Sequence, residues 1–149
     1  NRWNKRLSST ITFLDQSLDK GITLGGPIGV DGNIDAQIGV IEFNAKDGKN
    51  RNNRFVLQHL WTKEDRKEWL GFVYEIGISN NLNFFISDLW NYGNPDRLHY
   101  YNFGGSYSKG STRLSANYGR QRGGLVCVGG VCRFVPESNG YNLSLSYSF

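Results

Sequence analysis

The sequence contains no methionine, two histidines, two cysteines and three prolines among its 149 residues. These scarcities exclude several kinds of chemistry. Cys127 and Cys132 are the only thiols, and His59 and His99 lie far from them in sequence, so a zinc site lacks ligands. No apolar run is long enough for a transmembrane helix. Apolar residues form no stripe of helical period and helical length. Charge of one sign is never concentrated. The net charge is +4, and the basic residues fall in small groups at 2–6, 46–54 and 120–122. Nucleic-acid binding needs a concentrated basic face, so no nucleic-acid partner is expected.

Familiar catalytic patterns are also missing. Gly25, Gly26, Gly29 and Gly32 cluster in GGPIGVDG, but no helix follows to make a phosphate cradle. Asp88 and His99 flank one hairpin without the spacing of a known nucleophile motif. Glu64 and Asp65 lie in a charged turn and read as solvated. The expectation is a protein with no catalytic residues, no metal and no cofactor.

What is present points to strands. Aromatic residues make up 14% of the chain and glycines number 19, a composition that suits strands and tight turns. The last ten residues, 140–149, show the pattern best. Tyr141, Leu143, Leu145, Tyr147 and Phe149 alternate with Asn142, Ser144, Ser146 and Ser148. Period two with one apolar and one small polar face is a β-strand. An apolar edge strand is a liability unless its far edge is paired, so this strand is expected to close a barrel.

Seven further strands read from similar alternation, over about 3–13, 34–43, 54–62, 68–79, 82–92, 98–108 and 111–121. A phase slip at Val40–Ile41 suggests a β-bulge. Asp88 interrupts an apolar face and implies either a bulge or an interface. Joined in order, the strands form an antiparallel up-and-down meander. One rim carries the connections at 18–33, 63–67, 93–97 and 122–139. The other carries those at 46–52, 80–81 and 109–110. Two connections on the first rim are long, whereas two of the three on the second are tight. Transmembrane β-barrels show this asymmetry, and each strand is about the 9–11 residues such a barrel needs.

The fold class expected is therefore all-β: an up-and-down transmembrane β-barrel with about eight strands in this segment. Residues 1–149 form one barrel domain or the C-terminal segment of one, with a disulfide loop at about 122–139 and a closing strand at 140–149. With the apolar phases facing lipid, Asp35, Gln37, Glu75, Arg113 and Asn117 face the lumen, to pair with one another or line a channel. Two glycines between Cys127 and Cys132 permit a tight reversal, so a disulfide is expected there, in an oxidising compartment; two reduced thiols are the alternative. A soluble eight-stranded barrel of the lipocalin or avidin kind, binding a small ligand, matches in length and meander. It would turn its aromatic residues inward.

The C-terminal sixty residues carry more specific features: the NYGNPD turn with HYYN, the YGRQR strand end, the CVGGVCR–VP loop and the strand ending in Phe149. These resemble the C-terminal end of a Bacteroidota family of outer-membrane β-barrel proteins of unknown function. The resemblance implies a bacterial outer-membrane location and a larger barrel with earlier strands upstream. It brings no activity and no site residues. Leu145, Tyr147 and Phe149 look like the C-terminal signal read by the outer-membrane barrel assembly machinery. Expected partners are thus that machinery, the lipid bilayer with its lipopolysaccharide, and other outer-membrane proteins. The expected role is a pore or a structural scaffold subunit.

Overall fold

The computed structural model describes residues 2–19, 32–48, 50–63, 67–128 and 131–147, with side chains at Leu18, 124–128 and 131–135 not described. Every regular element among them is a strand. The elements are β1 (Leu7–Asp19), β2 (Asn33–Asp47), β3 (Arg51–Thr62), β4 (Trp69–Gly77), β5 (Leu82–Trp90), β6 (His99–Lys109), β7 (Thr112–Gln121), β8 (Gly124–Val128), β9 (Val131–Val135) and β10 (Ser138–Tyr147). Eight of them form one sheet in the order β1-β2-β3-β4-β5-β6-β7-β10. All its neighbours pair antiparallel, so the meander expected from the alternation is present.

Three features differ from the sequence reading. The first is an extra hairpin. The 122–139 connection contains β8 and β9, which pair only with each other. Its short strands flank two glycines, and that brevity hides them from a search for long alternation. The second concerns register. β2 pairs without a break from Asn33 to Ala45 against β1, so Val40–Ile41 is not a bulge. β5 likewise pairs continuously around Asp88.

The third is closure. β10 pairs with β7 alone, and β1 with β2 alone, so the sheet is open and both are edge strands. Closing eight strands leaves an interior just wide enough for packed side chains. The polar face of this sheet instead surrounds a water-accessible cavity of about 350 Å³ between β3 and β7.

Glycine allows the strands to approach closely on that face. A Cβ on Gly104 would meet the Ala116 carbonyl oxygen of the neighbouring strand. One on Gly119 would lie 2.5 Å from the Tyr101 carbonyl oxygen. Both contacts are with backbone, which cannot swing aside.

Because facing residues in an antiparallel ladder share a side, the registers assign each residue to a face. Glu42, Val56 and Val73 lie in one row, with Ser87 beside them. Ile41, Leu57 and Phe72 lie in a row on the other side. The small buried core sits on the first face and comprises Ile34, Ala36, Val56, Trp69 and Tyr100.

Candidate functional site

The most extensive feature of the molecule is the second face. Phe43 and Phe55 face each other across β2 and β3, followed by Tyr74 on β4 and Ile86 on β5. Phe103, Tyr118 and Tyr141 continue the surface across β6, β7 and β10. Most of these side chains are exposed, Phe103 by 49%. An apolar surface running across eight strands far exceeds the scattered apolar exposure of ordinary soluble proteins.

An aromatic belt bounds this surface on the side of the longer connections. His59 packs on Trp61 with ring centroids 4.1 Å apart. Its Nε2 lies 2.5 Å from the Tyr92 hydroxyl. Tyr92 packs on Trp90, and Trp90 stacks on His99 at 5.3 Å with 9° between ring planes. Further along, Tyr118 touches Tyr101, Phe103 and Tyr141. Asp88 interrupts the apolar face here, and its carboxylate is 2.6 Å from His99 Nδ1. Asp88 and His99, unconnected by any motif in the sequence, are therefore partners in the belt. Tyr92 lies just beyond β5; burial raises its hydroxyl pKa, and the Glu68 carboxylate adds to the rise. Rings with one polar tip are the residue type that collects where lipid meets water.

Past the belt the two faces exchange character. On the face that carries Ile41 and Phe43, β1 continues with Asp15 and Ser17 opposite Gln37 and Asp35 of β2. On the opposite face the same stretch of β2 supplies Ile34 and Ala36, each 7% exposed. This inversion accounts for the apparent phase slip at Val40–Ile41: the strand keeps its alternation while its surroundings change. It also relocates two of the residues read as lumen-facing. Asp35 and Gln37 lie on the face of Ile41, Phe43 and Trp61, not with Glu75, Arg113 and Asn117.

The last three do share the polar face. Arg54 Nη1 donates to Glu75 at 3.3 Å and Nη2 to Glu42 at 3.1 Å, which bridges three strands. The groups are partly exposed, so each pair contributes at most about 1 kcal/mol. Arg113 Nη2 lies 3.4 Å from the Ser106 hydroxyl, and Asn117 donates to Asn102 at 3.0 Å. Ser115 and Ser144 share a hydrogen bond at 2.8 Å, so the serines of β10 extend this hydrophilic surface.

At the apolar end of the same face the structure assembles a cluster that alternation alone does not mark. Trp69, 4% exposed, stacks on Tyr100 with centroids 6.0 Å apart. The Arg122 guanidinium covers Trp69 at 4.5 Å, and that of Arg120 covers Tyr100 at 5.4 Å. Glu137 accepts from Arg120 Nε at 2.7 Å and from the Tyr100 hydroxyl at 3.3 Å. The available signal was Trp69 itself, a large aromatic out of phase with Leu70, Phe72 and Tyr74.

Cys127 and Cys132 are directly opposite in the β8–β9 register. Their side chains, like Phe149 and the glycine cluster at 25–31, lie outside the described residues, as do Glu64 and Asp65. Leu145 and Tyr147 sit on the apolar face of the edge strand β10 and are exposed. Among the described residues no group of three His, Cys, Asp or Glu side chains could hold a metal.

A model of a family of unknown function, DUF6029, matches residues 1–149. The chain belongs to this family. The match spans every strand, a wider extent than the C-terminal features that carried the resemblance. No curated protein and no solved structure matches the chain.

Proposed function

We propose that this chain is part of a bacterial outer-membrane β-barrel that acts without catalysis, as a pore or as the scaffold subunit of an outer-membrane complex. The observation that carries this reading is the apolar face, continuous across eight antiparallel strands and bounded by the aromatic belt. Strands cross lipid only where their backbone groups are paired, and an antiparallel meander pairs them all except at its two edges. The open edges of β1 and β10 suit a barrel larger than eight strands. The polar opposite face suits a wet lumen.

In this reading the belt lies at the outer lipid–water boundary, near lipopolysaccharide headgroups. Asp35 stands beyond it, in water, while Ile34 and Ala36 are buried on the opposite face. Leu145, Tyr147 and Phe149 present the last strand to the barrel assembly machinery. Cys127 and Cys132 form a disulfide on the outer side, as befits an oxidising compartment. The Bacteroidota origin implied by the C-terminal features belongs to the same proposal. A soluble lipocalin-like or avidin-like barrel would need its aromatic residues on the concave side, whereas here the aromatic face is the more exposed one.

Fractionation of the native protein tests the reading. The expected result is recovery with outer membranes, release only by detergent, and faster gel migration before heating than after. Full solubility without detergent would overturn it.

A further inference from the structure

The cavity between β3 and β7 has chemistry that a plain hydrophilic lumen does not require. Its walls differ in charge. Beside the cavity one guanidinium, Arg54 of β3, is shared between the carboxylates of Glu42 on β2 and Glu75 on β4, so this three-residue cluster is net negative. Glu75 lines the cavity. Arg113 of β7 lines the same cavity from the other side, and among the described residues no carboxylate pairs with it. Its contact is the Ser106 hydroxyl at 3.4 Å, so most of its five N–H donors remain available. Between the two walls Asn52 and Asn83 add polar groups beside the apolar side chains of Phe84 and Phe85. Gly77 has no side chain where the Asn52 and Asn83 amide oxygens converge; a Cβ there would collide with Asn52 and lie 2.9 Å from Asn83 Oδ1.

We infer that this cavity is a binding site for small zwitterions of the amino-acid or dipeptide class. The ligand's ammonium group turns toward Glu75 and the amide oxygens. Its carboxylate turns toward Arg113, whose planar fork matches a carboxylate. The cavity, about 350 Å³, is large enough for a solute of that size. A ligand with only one charge satisfies one wall and leaves the other to water. The inference deepens the proposed function, since it rests on the polar face being the side that solutes reach.

The test is equilibrium binding of glycylglycine to the purified, detergent-solubilised protein, with ethylammonium and propionate as single-charge probes. Saturable binding of glycylglycine at least about tenfold tighter than either probe is expected. Glu75→Gln and Arg113→Gln should each weaken it by about tenfold. Arg113→Lys should retain part of it, and Asp35→Asn, on the opposite face, should leave it unchanged. Heat-modifiable migration of each variant separates lost binding from lost folding. A membrane-embedded protein that binds all three probes alike, or none, overturns the site and leaves the membrane reading standing. A protein with the expected binding that is soluble without detergent supports the site and overturns the membrane reading.

Discussion

Tyr141 packs its ring against Tyr118 at 4.6 Å and is still 90% exposed. Its strand, β10, is paired along one edge only, and both of its faces are open. Tyr147 and Leu145 are on the same apolar side. An exposed, alternating edge strand of this kind invites pairing with another strand. Replacing Tyr147 and Phe149 together with Ser should sharply reduce assembly. The measure is the fraction of heat-modifiable protein in the membrane, and an unchanged fraction would show that these side chains are not read.

The exchange of face character along β2 supports a paired substitution. Ile41 and Gln37 lie four residues apart on one face, on either side of the inversion. Ile41→Arg places a charge in the apolar band and should cost about 2–4 kcal/mol if that band meets lipid. Gln37→Arg should cost well under about 1 kcal/mol, in the range of ordinary surface changes. Urea titration of the folded protein in detergent or bilayers reads both. Equal tolerance would mean that the band does not face lipid.

Close strand approach at Gly104 and Gly119 makes a separate prediction. Valine at either position pushes against neighbouring backbone. Each substitution should destabilise the sheet by about 1–3 kcal/mol through overpacking. Gly140→Val, where a Cβ would meet open space, serves as the comparison. The prediction fails if all three variants unfold at the same denaturant concentration.

Cys127 and Cys132 occupy facing positions in the β8–β9 ladder. Facing Cα atoms in an antiparallel pair lie about 4.5–5.5 Å apart, within the span that a disulfide bridges. The two thiols should therefore resist alkylation in the unreduced native protein and react after reduction. Labelling of both without reductant would rule out the bond.

Much of this architecture was legible from the residues alone, because a strand's alternation is local. The period of two in Leu70–Ile78 and in Tyr141–Tyr147 fixed which side chains share a face, and the polar turns fixed where the chain reverses. Eight strands in meander order followed from those two signals. Tertiary structure decided what each face meets. Ile34 and Ile41 read as one interrupted apolar phase, yet the first is buried and the second exposed on the opposite side. Alternation says that neighbours point apart, but it does not say which side is sheltered; curvature and the packing of Trp69 and Tyr100 set that. Closure was undecidable for the same reason. Whether β10 meets β1 depends on the summed bend of every intervening strand pair, a long-range quantity that no single strand encodes.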